Sequence, residues 1–155
     1  MQGMPQPTQP HKQLERLVGS WKGEETLGPS PWGPGGPASG RMNARMDLDG
    51  FFLLQDYVQE KDGKVTYRGH GVLGWDAPRG LYAWFWVDSM GMIPHALSYG
   101  TFEGSSLVLR QDTPGMGFSR YTFALEGEAR YRLRIEISND GHAWTTFLEG
   151  DYKRA

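Results

Sequence analysis

Short runs of aromatic and β-branched residues recur along this chain, and turns rich in glycine separate them. The rhythm starts near residue 20 and continues almost to the end of the 155 residues. Such runs are typical of β-strands, and closely spaced turn signals are typical of antiparallel connections. We predict about ten strands, at residues 20–27, 39–48, 51–60, 64–75, 81–88, 95–102, 105–111, 118–126, 130–137 and 143–153.

One segment, HKQLERLVG, predicts a helix. Leu14, Leu17 and Val18 have the spacing of one apolar helix face, Pro10 suits the first turn, and Gly19 suits the end. With one helix and many short antiparallel connections, the chain belongs to the all-β class. A closed up-and-down barrel and a two-sheet sandwich both fit this pattern.

Charge and composition exclude several kinds of partner. The chain has 16 Lys and Arg residues against 18 Asp and Glu residues, so it lacks the basic surface that nucleic acid or an anionic membrane requires. No cysteine is present, which removes disulfides and thiolate metal sites, and the four histidines are scattered singly. We therefore predict no metal site, no nucleic-acid partner and no membrane partner.

The N-terminal residues MQGMPQPTQP have neither the basic start nor the apolar run of a secretory signal. We predict a disordered leader at residues 1–10, a single domain at residues 11–155 and a cytoplasmic location. A chain of this length has room for one sizeable core.

The segment GSW, with Gly19 and Trp21, directly follows the predicted helix and opens the first strand. It resembles the G-x-W signature of the calycin superfamily, which includes lipocalins and fatty-acid-binding proteins. The resemblance implies a closed barrel in which the helix covers one end and a basic residue near the C-terminus packs over the tryptophan. Lys153 and Arg154 are available for that role.

The middle of the chain resembles a bacterial family of unknown function within the calycins. The relevant segments are YRGHGVLGWDAPRGLYAWFWVDSMG, at residues 67–91, and YGTFEGSSLVL, at residues 99–109. They match the family's G-[YW]-D turn, its W-V-D-S-M-G segment and the G-T strand that follows. This resemblance supports the barrel over the sandwich and implies no activity, because the family has none established.

A haem cofactor is an alternative, because the haem-binding nitrobindins are also calycin-type barrels and begin with the pattern G-x-W-x-G-x-G. Gly19, Trp21 and Gly23 match this pattern, whereas Glu25 replaces the third glycine. The late histidine available as an axial ligand is His142, in the turn NDGHAW. Our first expectation is that the protein has no cofactor.

Hairpin turns predict which side chains face the interior. A three-residue loop at 48–50 would place Met42 opposite Asp56 and Met46 opposite Phe52, with Leu54 on the same inner face. A two-residue turn in KDGK, at residues 61–64, would add Tyr67 to this face.

The connection DAPRG leaves two registers open for the segment WFWVDSMG. If Trp75 pairs with Tyr82, then Trp84, Trp86 and Asp88 face inward, and Asp88 and Asp56 flank Gly69. If Trp75 instead pairs with Leu81, the tryptophans face outward and predict a subunit interface. We favour the inward register, because large aromatic rings fill the space that glycines leave empty.

A barrel of about ten strands is wide enough to hold an internal cavity. We predict that it binds a small, partly apolar molecule. The predicted lining residues are Trp84, Trp86, Tyr67, Leu54, Met42 and Met46, with Asp56 and Asp88 orienting a polar or cationic end. Residues 28–37, which contain Trp32, fit a lid over the entrance and fit an irregular connection equally well. The alternatives are a homodimer formed through outward tryptophans and an enzyme that uses the Asp56 and Asp88 carboxylates for acid–base chemistry.

Overall fold

Ten antiparallel strands follow one another round a closed barrel, in the order β1-β10-β9-β8-β7-β6-β5-β4-β3-β2. The structure is a computed structural model, and it describes residues 3–155. The strands are β1 (Gly19–Leu27), β2 (Gly36–Asp47), β3 (Phe52–Lys61), β4 (Lys64–Asp76), β5 (Leu81–Asp88), β6 (Ser98–Glu103), β7 (Ser106–Thr113), β8 (Gly117–Glu126), β9 (Arg130–Ser138) and β10 (Thr145–Arg154). This architecture confirms the predicted all-β, up-and-down barrel.

The N-terminal helix covers one end of the barrel. An α-helix, α1 (Gln9–Gln13), continues into a short 3₁₀ helix, Leu14–Leu17. Leu14 and Leu17 are fully buried, as their spacing predicts. The helix begins at Gln9, within the last residues of the predicted leader; residues 1 and 2 lie outside the described residues.

Trp21 and Arg154 join the two ends of the chain at this closed end. Trp21 is 2% exposed and donates its indole N–H to the Leu17 carbonyl oxygen at 3.0 Å. The Arg154 guanidinium lies 4.3 Å from the indole ring and donates to the Val18 carbonyl oxygen at 2.7 Å. Gly19 has φ +142°, and a Cβ at this position would collide with the Arg154 guanidinium, which explains the glycine of the G-x-W signature.

The register of β2 against β3 differs from the prediction by one residue. The loop contains four residues, 48–51, so Asp47 pairs with Phe52 and Met42 pairs with Tyr57. Leu48 and Asp49 adopt positive φ angles of 51° and 62° beside Gly50, which accommodates the additional loop residue.

As a result, β3 presents the opposite face to the interior, because a one-residue shift reverses every side chain of a strand. Leu53, Gln55 and Tyr57 face inward, and the predicted inward positions of Leu54 and Asp56 are wrong.

A bulge in β4 restores the predicted orientation of the later strands. Lys61 pairs with Lys64 across the expected two-residue turn, but the register shifts after Glu60, so that Gln59 pairs with Tyr67. Bulges add a residue to one strand and rotate the side chains that follow it. Tyr67, Gly69 and the rest of the predicted inner face of β4 therefore do point inward.

Strands β4 and β5 have the first of the two predicted registers. Trp75 pairs with Tyr82, and Trp84, Trp86 and Asp88 lie on the inner side of β5. Strand β5 pairs with β6 only at residues 82–84, whereas it pairs with β4 over its whole length. Within residues 3–155, no helix is long and apolar enough to cross a membrane.

Candidate ligand site at the mouth of the barrel

We call the end of the barrel opposite α1 the mouth. The last residues of β1, β3, β5, β7 and β9 lie at this end. Inward-facing side chains near α1 are buried, as Leu53 (0%) and Leu73 (1%) show. At the mouth, the inward-facing Ile137 is 45% exposed. The half-buried side chains that face inward here are Leu27, Tyr67, Trp86, Asp88, Gln111, Ser119, Tyr121 and Ile135. Solvent therefore reaches the interior at this end.

Trp86, Tyr67 and Asp88 form a hydrogen-bonded chain in the mouth. The Trp86 indole N–H donates to the Tyr67 hydroxyl at 2.8 Å, and this hydroxyl donates to the Asp88 carboxylate at 2.6 Å. The Met90 backbone N–H donates to the other carboxylate oxygen at 3.0 Å. Burial chiefly raises the pKa of Tyr67, and the hydrogen bond to Asp88 raises it further, so the phenol remains a neutral donor.

Aromatic rings surround this chain on the inner wall. The Trp86 ring lies 5.3 Å from Trp84 and 6.1 Å from Tyr57, and Trp84 packs edge-on against Tyr121 of β8 at 4.8 Å. Burial chiefly raises the pKa of Tyr121, and the nearby charge of Asp88 adds to the rise. The mouth thus combines three half-buried aromatic rings, those of Trp86, Tyr67 and Tyr121, with one carboxylate.

The glycines of β4 make room for the tryptophans. A Cβ at Gly69 would overlap the Trp86 ring, and one at Gly71 would approach the Trp84 indole nitrogen at 2.8 Å. Trp84 uses that nitrogen to donate to the Gln55 side-chain oxygen at 2.8 Å. The tryptophan rings thus fill the space beside Gly69 and Gly71, as the inward register predicts.

A second carboxylate, Glu25, lies deeper in the barrel and is 3% exposed. It accepts hydrogen bonds from the Tyr57 hydroxyl at 2.5 Å, from the Gln59 amide at 3.0 Å and from the Tyr152 hydroxyl. A Cβ at Gly40 would collide with the Glu25 carboxylate. The glycine therefore leaves the space that this carboxylate occupies. Burial raises the pKa of Tyr57 far above its ordinary value, and the charge of Glu25 adds to this effect.

Neither of these two inward-facing carboxylates has a cationic partner in the part of the chain that the structure describes. Among the described residues, no arginine, lysine or histidine forms an ion pair with Glu25 or Asp88. Arg154 is at the closed end, and Lys61 at the rim donates to the Gly35 carbonyl oxygen at 3.4 Å. Neutral tyrosine, amide and backbone donors hold the two carboxylates instead.

The other predicted site residues are distributed over different parts of the fold. Met42 is buried in the core and Met46 packs against it, both on the inner face of β2. Asp56 lies on the outer wall, where it contacts His70 at 2.7 Å and Arg45 at 3.3 Å. The predicted pairing of Asp56 with Asp88 is therefore wrong, since the two carboxylates point to opposite sides of the barrel wall.

Trp32, the predicted lid residue, is 67% exposed in the β1–β2 loop. Leu54 lies on the outer face, together with Phe52 and Phe85, which are 37% and 40% exposed. Phe52 and Phe85 help to line a groove of about 500 Å³ on the outside of β3–β5. Trp84 and Trp86, which the alternative register would turn outward to form a subunit interface, do not line this groove.

Sequence reasoning missed Glu25, Gln59 and Tyr57 as members of the interior polar network. Glu25 was noted only as a departure from a glycine pattern. Its orientation was available from the sequence, because Trp21, Gly23 and Glu25 alternate on one face of β1, and a buried Trp21 places Glu25 inside. Tyr57 and Gln59 were missed because the predicted three-residue loop before β3 turns them outward, whereas the loop in the structure has four residues.

The β9–β10 turn at the mouth is held by Asp140. Its carboxylate accepts the backbone N–H groups of His142 at 2.8 Å and Ala143 at 2.9 Å, and the Ser138 hydroxyl at 3.1 Å. These hydrogen bonds, with the two backbone donors first, lower the pKa of Asp140 to about 2. His142, the candidate axial ligand for haem, is exposed on this turn.

We expect the charge of Asp140 to stabilise the turn above pH 4 and this contribution to be lost as the pH falls through about 2. Asp140→Asn keeps an acceptor oxygen and removes the charge. The variant should melt at a lower temperature than the wild type at pH 6, and the difference should shrink toward pH 2. Thermal unfolding of both proteins between pH 2 and pH 6 measures it; a difference that does not change with pH would contradict the assignment.

The sequence model of a family described as "Protein of unknown function (DUF1579)" matches residues 6–154. The chain belongs to the DUF1579 family. This membership confirms the resemblance drawn from the G-x-W start and the W-V-D-S-M-G segment. Among curated protein sequences, none matches this DUF1579 protein.

Solved structures similar to this DUF1579 protein include Rv2717c from M. tuberculosis, with a TM-score of 0.71 and 14% sequence identity over 96% of this chain and 98% of that one. Another is the S-type phycobiliprotein lyase CPES from Guillardia theta, with a TM-score of 0.67 and 12% identity over 93% of this chain and 91% of that one. At these identities the similarity shows the barrel fold of the DUF1579 protein alone, and it says nothing about the residues in the mouth.

Proposed function

We propose that this protein binds a small, partly apolar molecule in the mouth of its barrel. The observation that carries the proposal is that Trp86, Tyr67, Tyr121 and Asp88 face inward while remaining half-buried. Ligand sites typically combine aromatic walls with a few placed polar groups in this way. The aromatic rings deeper in the barrel, such as Trp84 and Phe123, pack closely against one another. We therefore place the ligand at the mouth and not in a large central cavity.

The fold relatives are in keeping with this proposal. One of the similar barrels is named as a phycobiliprotein lyase, so a barrel of this fold is compatible with a functional site. The pattern of exposure supports the same position, because the inward-facing side chains at the α1 end are closed off by Trp21, Leu14 and Leu17.

Native mass spectrometry of freshly purified protein is the first test. We expect an additional mass that disappears on denaturation and identifies the ligand. An absorbance spectrum of the same sample checks the haem alternative, which predicts a Soret band.

Trp86→Ala should weaken retention of this ligand at least about tenfold, because the substitution removes the central aromatic surface of the mouth. Phe85→Ala is the matched control, since Phe85 is the neighbouring residue of β5 and faces the outer groove. The retained mass, measured in parallel for the two variants, should fall for Trp86→Ala alone. Equal retention by both variants would place the ligand elsewhere.

The second candidate function is a homodimer, with the outer groove near Phe52 and Phe85 as its surface in place of the predicted tryptophans. Sedimentation velocity over a range of concentrations tests it. The enzyme alternative loses its predicted carboxylate pair, because Asp56 is on the outer wall.

A further inference from the structure

We propose that the ligand of the mouth is an organic cation, with an amine or ammonium group beside Asp88 and an apolar body against Trp86 and Tyr121. This inference rests on the proposed function and adds the chemical class of the ligand to it.

The first argument is charge. Asp88 and Glu25 both face the interior, and the described residues supply neither with a cationic partner. The tyrosines that hydrogen-bond to them, Tyr67, Tyr57 and Tyr152, are neutral donors, so these contacts bring no positive charge to either carboxylate. A cation entering the mouth is attracted by both carboxylates in surroundings where solvent screening is reduced, whereas an anion is repelled.

The second argument is the unused acceptor capacity of Asp88. A carboxylate offers about four lone-pair positions. Tyr67 occupies one position on one oxygen, and the Met90 N–H occupies one on the other. An ammonium group, which has only donors, can use the remaining positions without displacing either partner. A ligand carboxylate or carbonyl has no donor to offer and would face these oxygens unpaired.

The third argument is the aromatic surround. The centroid of the Tyr57 ring lies 5.9 Å from that of the Tyr67 ring and 6.1 Å from that of the Trp86 ring. Aromatic faces attract cations through their quadrupole, and tryptophan does so most strongly. The same rings provide contact surface for the apolar part of an amine. Rings and a carboxylate together therefore favour an organic cation over a metal ion or a small inorganic cation.

The test compares three probes of similar shape: 2-phenylethylamine, 2-phenylethanol and 3-phenylpropionate. Isothermal titration at pH 7 and low salt measures the affinity of each for wild type, Trp86→Ala and Asp88→Asn. We expect the amine to bind at least about tenfold more tightly than the alcohol, and the propionate to bind most weakly. In Asp88→Asn the affinity for the amine should fall to that for the alcohol, while the affinity for the alcohol should not change.

Tyr67→Phe separates a charge effect from a structural one. It removes a donor that competes for Asp88 and keeps the carboxylate, so the preference for the amine should be kept or increased. Loss of the preference in both Tyr67→Phe and Asp88→Asn would point to a damaged mouth and would overturn the inference.

Other outcomes distinguish this inference from the function on which it rests. If the alcohol or the propionate binds through Trp86 as tightly as the amine, the cation inference is wrong and the mouth remains a binding site. If none of the three probes binds at millimolar concentration, the cation inference is also wrong, and the native mass spectrum decides the proposed function independently.

Discussion

Replacing Glu25 by alanine is expected to lower the free energy of unfolding by about 3 to 5 kcal/mol. The substitution leaves the Tyr57 hydroxyl, the Tyr152 hydroxyl and the Gln59 amide without their common acceptor in a site that is 3% exposed. Each buried donor without an acceptor carries a desolvation penalty, and the lost side chain leaves a void. Urea unfolding followed by tryptophan fluorescence measures the change, with the midpoint and slope compared between variant and wild type.

Glu25→Gln is the matched control for this prediction. It keeps the volume and one acceptor oxygen, so we expect a smaller loss, of about 1 to 2 kcal/mol. A Glu25→Ala protein as stable as the wild type would show that the network contributes nothing to folding.

The second large effect is expected for Trp21→Ala at the opposite end of the barrel. Trp21 packs edge-on against Tyr131 at 4.8 Å, donates to Leu17 and lies under the Arg154 guanidinium. Removing a buried tryptophan of this kind costs about 3 to 5 kcal/mol. The variant should also loosen the 3₁₀ helix that covers this end, because it loses the hydrogen bond from the indole to the Leu17 carbonyl oxygen.

Trp21→Phe keeps most of the packing and loses the hydrogen bond to Leu17, so it should cost about 1 to 2 kcal/mol. Thermal and urea unfolding measure both variants, and far-UV circular dichroism reports whether the barrel survives. If alanine and phenylalanine have equal effects, the packing argument is wrong and the indole N–H alone carries the contribution.

Much of the barrel could be predicted from the sequence because its strands have strong local patterns. The helix, ten strands and the inward position of Trp84 and Trp86 follow from periodicity, turn residues and the need to fill space beside Gly69 and Gly71. These are local signals, and each was visible within one hairpin.

The inner face of β3 could not be predicted, because it depends on the length of one loop and on one bulge. Loops of three and four residues around Gly50 are both compatible with the sequence, and the choice reverses the direction of Asp56. The bulge in β4, opposite Gln59 and Glu60, then cancels the error, so β4 and β5 were oriented correctly although β3 was not. The deep polar network was missed for the same reason, since two of its members, Tyr57 and Gln59, lie on β3.

The short pairing of β5 with β6 makes the barrel wall mechanically uneven. Beyond residue 84, strand β5 is held by hydrogen bonds to β4 on one side and lacks a ladder to β6 on the other. Separating strands at this seam breaks fewer hydrogen bonds than it would elsewhere in the wall, so amide hydrogen exchange should be faster along residues 85–88 than in β8 or β9. Trp86 and Asp88 thus lie on the part of the wall that has the shortest ladder to a neighbouring strand, and we expect the mouth to widen there before the rest of the sheet opens.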